Sequence, residues 1–135
     1  MKRIVTFLLV ILLTLSLAGC GWGSTRGLQT QIGDSDVYSR KDIASAMEIV
    51  TEYFRREFEG CTLKTLEYSE ELTRDDAEQW AQQYDAQQAI VLISSFYVAP
   101  NGGDGSLNTN STYENWQWIL VRNAGEKWTL KTWGY

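Results

Sequence analysis

Two cysteines and no histidine bound the chemistry open to this chain. Without imidazole there is no Ser-His or Cys-His nucleophile pair, no histidine acid or base, and no histidine-ligated zinc. Cys61 follows a Gly at the start of a Thr-rich apolar run. It reads either as a small side chain buried in a core or as a thiol open to oxidation or intermolecular pairing. Asp104, Asn108 and Asn110 fall close together in a Gly-rich stretch, and oxygen donors at that spacing can wrap Ca²⁺. The twelfth position of such a loop is Asn115, where a bidentate carboxylate belongs, so a loop built from Asx turns is the other reading. No metal and no cofactor are expected. Five of the six Trp, namely Trp80, Trp116, Trp118, Trp128 and Trp133, lie in the second half of the chain. Either they fill a core or some of them line a groove, as aromatic side chains do at binding surfaces.

The elements that must hold these residues can be read from periodicity. Ser39-Arg-Lys-Asp42 has the form of an N-terminal capping box, and Ile43, Met47, Val50, Phe54 and Phe58 follow at helical spacing. Gly60 is suited to end that helix. Residues 61–68 read as a short strand. Thr73-Arg-Asp-Asp76 repeats the capping pattern ahead of Ala77, Trp80, Ala81 and Tyr84, a second helix. Residues 89–99 are apolar on both alternating sets, the pattern of a central strand covered on both faces. After a Gly/Asn/Asp loop, residues 112–123 and 127–135 form a hairpin around Asn123-Ala-Gly-Glu126. Alternation groups Trp116, Trp118 and Trp128 toward the helices and sends Trp133 and Tyr135 to the opposite face. The expected order is α-β-α-β-β-β, an α+β domain in which helices cover one face of a curved antiparallel sheet. It should be monomeric.

The chain opens differently. Lys2 and Arg3 precede an apolar run over residues 4–17, which is short for a membrane span. The run ends in Leu17-Ala18-Gly19-Cys20, which resembles the lipobox of bacterial lipoproteins at all four positions. That resemblance implies a signal peptide over residues 1–19 and acylation of Cys20, whose acyl chains would anchor the protein in membrane lipid at the extracytoplasmic face of the cell membrane. Removing residues 1–19 takes away Lys2 and Arg3 and moves the formal net charge from −5 to −7. An acidic domain is repelled by anionic lipid and is a poor partner for nucleic acid. Residues 20–38 hold Gly21, Gly23, Gly27 and Gly33 among Ser, Thr and Gln, the composition of a flexible tether. The domain then spans residues 39–135.

The ending, from Trp118-Ile-Leu-Val-Arg122 through Gly125, Lys127 and Trp128 to Trp133-Gly134-Tyr135, resembles the terminal hairpin of NTF2-like domains, the SnoaL and cystatin-like superfamily. More narrowly it is similar to small Firmicutes lipoproteins with a domain of the DUF4829 type. The resemblance extends loosely over residues 39–135. It implies a cone between sheet and helices, and in enzymes of that kind an Asp base and a Tyr donor lie inside it. Here Asp85 beside Tyr84, with Tyr53 and Tyr97, would be the candidates; a solvated helix end and three core or rim tyrosines are the plainer reading. The leading expectation is a non-enzymatic binding or interaction module with an unspecified protein or small-molecule partner, using some of Tyr53, Trp80, Tyr84, Asp85, Tyr97, Trp116, Trp118 and Trp133. An NTF2-like small-molecule enzyme of isomerase or hydrolase type, or a structural envelope component, are the alternatives.

Overall fold

The computed structural model describes residues 22–135. The stretch read as a signal peptide and Cys20, the expected acylation site, lie outside the described residues. The elements are β1 (Gln29–Gln31), α1 (Arg40–Glu57), β2 (Cys61–Tyr68), α2 (Glu70–Gln83), β3 (Gln88–Val98), β4 (Ser111–Arg122) and β5 (Thr129–Gly134). They form an open, mixed five-stranded sheet in the order β1-β2-β3-β4-β5, antiparallel except for the parallel pairing of β1 with β2. The fold is therefore α+β, with one strand more at the front than the expected order contains.

That extra strand comes from the stretch read as a tether. Gln29, Thr30 and Gln31 pair with Thr65, Leu66 and Glu67, and upstream Ser24 donates to Cys61 O and accepts from Leu63 N, both at 2.8 Å. Further along, Ser35 Oγ and Asp36 N both donate to Glu70. A strand whose side chains are all exposed carries no apolar alternation. Backbone hydrogen bonds to the free edge of β2 hold it instead.

α1 forms as its pattern predicts. Ser39 Oγ accepts from Asp42 N at 3.1 Å, and Ile43, Ala46, Met47, Val50 and Phe54 make one buried stripe. Arg55 and Arg56 in its last turn complement the helix dipole. Gly60 follows with φ +71°, and a Cβ there would collide with Gly102, so glycine is required both for the turn and for the close approach of the β3–β4 loop. α2 starts four residues earlier than the Thr73 signature suggests. Ser69 is its cap, accepting from Leu72 N at 3.2 Å, with Glu70 and Glu71 in the first turn. Thr73 is instead fully buried, and its hydroxyl accepts from Val91 N at 3.1 Å.

The helices do not share a face. Ile90, Leu92, Phe96, Trp118 and Leu120 belong to the main core with the α1 stripe. The alternate positions Ala89 and Val91 on β3 and Val121 on β4 are buried too, and Ala89 and Val121 join Ala81, Ala77, Trp80 and Tyr84 of α2 in a second, smaller core. Each face of the sheet thus receives one helix, as the doubly apolar β3 requires. Small residues on α2 let it sit close.

The expected placement of Trp133 and Tyr135 is also corrected. Trp133 pairs directly with Trp118, and Leu130 with Leu120, because the register shifts by one residue between them at Lys131. The bulge absorbs a residue, so Leu130 and Trp133 lie on the same face although three apart. Tyr135 rests its ring 5.3 Å from Trp116 and 6.3 Å from Tyr113. Trp118 and Trp128 are buried as expected, and Trp116 packs against the same core.

Candidate functional site

One end of the α1-covered face is a cleft of about 210 Å³. The last turn of α1 contributes Tyr53 and Glu57, Phe58 follows it, β4 supplies Trp116, β5 supplies Trp133, and the β3–β4 loop brings Asp104. Tyr53 and Trp133 rings stand 4.8 Å apart, inclined at 48°. Beneath them the fully buried Trp118 supports the wall, with ring centroids 5.4 Å from Phe58, 6.1 Å from Trp133 and 6.4 Å from Tyr53. The Trp118 indole N–H donates to Ser94 Oγ at 2.8 Å, so the ring that backs the cleft is fixed in orientation as well as position.

Two backbone devices bring the walls together. Asn115 has φ +56°, and the register between β3 and β4 slips beside it, so that Tyr113 and Trp116 both reach Phe96, at 5.2 Å each. The β3–β4 loop is pinned at its base: Gly103 N donates to Glu59 O and Ala99 N to Gly60 O, at 2.8 and 2.9 Å. Asp104 accepts from Ser106 N and Ser106 Oγ, and these bonds hold its carboxyl below the usual range. Asn108 N donates to the Tyr113 hydroxyl at 2.8 Å. Among the donors considered for calcium, Asp104 is therefore engaged with Ser106, and Asn110 Oδ1 accepts from Tyr97 at 2.7 Å. Among the described residues no group of three or more His, Cys, Asp or Glu side chains is arranged to hold a metal ion.

The residues singled out from the sequence separate into two sets. Tyr53, Trp116 and Trp133 line the cleft, and Trp118 backs it. Trp80 and Tyr84 stack 6.3 Å apart on the other face of the sheet, within the α2 core. Asp85 follows at the end of α2, exposed and with φ +54°. Tyr97 is bonded to the loop at Asn110. The structure does not bring Asp85, Tyr84, Tyr53 and Tyr97 together, because α2 and α1 lie across the sheet from one another. Glu57, Phe58, Cys61 and Asp104 line the cleft without having been read as one site. Their positions just before and after Gly60, and in the loop that Gly60 admits, are the signal that connects them. Cys61 is 1% exposed, and burial, followed by the Asp104 charge, pushes its thiol up.

Two features at this end stand out: an indole N–H with no acceptor and two carboxylates with no cationic partner among the described residues. Trp116 Nε1 is buried with no acceptor, and neither Glu57 nor Asp104 enters an ion pair among the described residues. A buried N–H without a partner is uncommon. The larger groove at the other end of α1, about 670 Å³, differs in this respect. There Arg122 meets Asp42 at 3.0 Å, donates to Gln88 at 2.8 Å and lies 4.1 Å over the Trp128 ring, while Trp128 Nε1 donates to Asp42 O. Its buried polar groups satisfy one another, and the cluster ties the start of α1 to the β4–β5 hairpin. Nearby, burial above all pushes the Tyr38 phenol up to about 12 while its hydroxyl donates to Ala89 O. No helix among the described residues is long and apolar enough to cross a membrane. Comparison with protein-family models, with curated proteins and with solved structures returns no match for this chain.

Proposed function

We propose that this chain is a bacterial lipoprotein, acylated at Cys20 and anchored to the extracytoplasmic face of the cell membrane, whose NTF2-like domain is a non-enzymatic binding module that takes its ligand in the cleft beside Trp133. The observation that carries the binding reading is the convergence of Tyr53, Phe58, Trp116 and Trp133, from both sides of the α1–sheet interface, on one solvent-accessible concavity. Aromatic walls with a few polar groups at the rim are the usual construction of a small-ligand site. Trp133 keeps 40% of its surface exposed there, a large apolar surface that core packing alone leaves unused. The anchor rests on Lys2, Arg3, the apolar run and Leu17-Ala18-Gly19-Cys20. With β1 and residues 24–36 bonded to the domain, little chain is left between Cys20 and the fold, so the domain would stand close to the bilayer while its acidic charge opposes contact with anionic lipid.

The anchor is tested by growing cells with a clickable palmitate and comparing the full chain with Cys20→Ser. Label and membrane association are expected for the first and lost in the second. Label retained by Cys20→Ser refutes the anchor.

A further inference from the structure

Resting on that binding reading, we infer that the ligand of the cleft is a small alkylammonium cation, held against the Tyr53, Trp116 and Trp133 rings with Glu57 and Asp104 at the rim. A cavity of about 210 Å³ holds about seven waters at ~30 Å³ each and falls below the ~300–1,000 Å³ typical of drug-sized sites, so the ligand is small. Four of its lining side chains, Tyr53, Phe58, Trp116 and Trp133, are aromatic, and aromatic rings attract a cation through the ring quadrupole. Its only charged side chains are carboxylates: Glu57 and Asp104 line it, no Lys or Arg does, and neither carboxylate is in an ion pair among the described residues.

With Glu57 and Asp104 and no Lys or Arg among its lining residues, the cleft presents a negative field. Burial and then Glu57 push the Tyr53 phenol up, with Arg56 acting the other way, and burial and then Asp104 do the same to the Cys61 thiol. An anion would meet that field and find no positive partner. A neutral apolar ligand would leave both carboxylates unused, and burying its surface beside them would strip water from charges to no gain. A cation answers both.

The test uses the full-length lipoprotein in nanodiscs of phosphatidylglycerol, whose headgroup carries no ammonium. Choline is titrated against 3,3-dimethylbutan-1-ol, which has the same shape with carbon in place of nitrogen, and binding is read by tryptophan fluorescence and calorimetry. Choline is expected to bind at least about tenfold more tightly than the alcohol. Glu57→Gln with Asp104→Asn, both at exposed positions, should weaken choline several-fold and leave the alcohol unchanged. Trp133→Leu should weaken choline by about tenfold. Equal binding of choline and the alcohol overturns the cation assignment while leaving a ligand-binding cleft. Binding of neither overturns the cleft as well. Choline binding untouched by all three substitutions places the cation elsewhere and also overturns the inference. Repeating the titration in phosphatidylcholine discs separates the two sources of an alkylammonium group. Competition by the bilayer identifies a lipid headgroup, and an unchanged affinity identifies a free cation; both agree with ammonium recognition.

Discussion

Replacing Thr73 by Val changes one hydroxyl to a methyl at a site with no solvent exposure, and the structure states what that hydroxyl does. The last rung between β2 and β3 joins Tyr68 to Leu92. One residue further along β3, Val91 has no β2 partner, yet its backbone is satisfied: Ser69 N donates to Val91 O at 3.2 Å, and Val91 N donates to Thr73 Oγ1 at 3.1 Å. The first turn of α2 therefore continues the sheet edge by one residue. Thr73→Val leaves the Val91 N–H buried without an acceptor, which costs about 1–3 kcal/mol. Thr73→Ser keeps the hydroxyl and loses one methyl, about 0.8–1.1 kcal/mol. For a domain of about 110 residues the unfolding entropy near the melting point is about 0.24 kcal/mol per degree. A loss of ~2 kcal/mol then lowers Tm by about 8 °C, against about 4 °C for the Ser variant. Thermal unfolding followed by circular dichroism at a fixed scan rate reads both. The order wild type, Ser, Val is the expected result. A Val variant as stable as the Ser variant would show that water reaches Val91 N, and that α2 does not cap the sheet edge as described.

Trp118 and Trp133 are directly paired with ring centroids 6.1 Å apart. Trp118→Ala should cost about 3–5 kcal/mol, Trp133→Ala about 1–2 because that ring is part exposed, and the double mutant should depart from additivity by about 0.5–1.5 kcal/mol; strict additivity in urea melts would contradict the shared face. The Arg122 hydrogen bond holds the Asp42 carboxyl below its ordinary 3.8. A lowered native value stabilises the fold above the unfolded value and is lost as pH falls through the native one, so wild type should lose more stability than Asp42→Asn between pH 5 and 2. With Asp42 a third exposed, the difference is at most about 1 kcal/mol, and parallel pH profiles would refute the pairing. Cys61, buried with its thiol pushed up, should react with a disulfide reagent orders of magnitude more slowly in native Cys20→Ser protein than in denaturant. Prompt reaction of the folded protein would mean that the cleft opens to its floor.

What the sequence determined by itself is what depends on neighbours in the chain. The cap at Ser39, the stripe from Ile43 to Phe54, the stop at Gly60, the bounds of β2 and the doubly apolar β3 all express contacts within a few residues, where helical and strand periods are directly visible. The tertiary structure alone decided which aromatic rings meet. A single-residue bulge at Lys131 and another beside Asn115 each reverse the parity of a strand, and no residue type announces them, so alternation counted along β5 sends Trp133 to the wrong side. β1 was invisible because exposed Gln and Thr carry no apolar pattern and are held by backbone alone. The second face of the sheet was half legible: β3 demanded cover on both sides, but only the packing of Ala77, Ala81 and Trp80 shows that α2 supplies it. That choice separates Asp85 and Tyr84 from Tyr53. It leaves the cleft to residues from α1, β4, β5 and a glycine-admitted loop, which are far apart in sequence and are joined only by the closing of the fold.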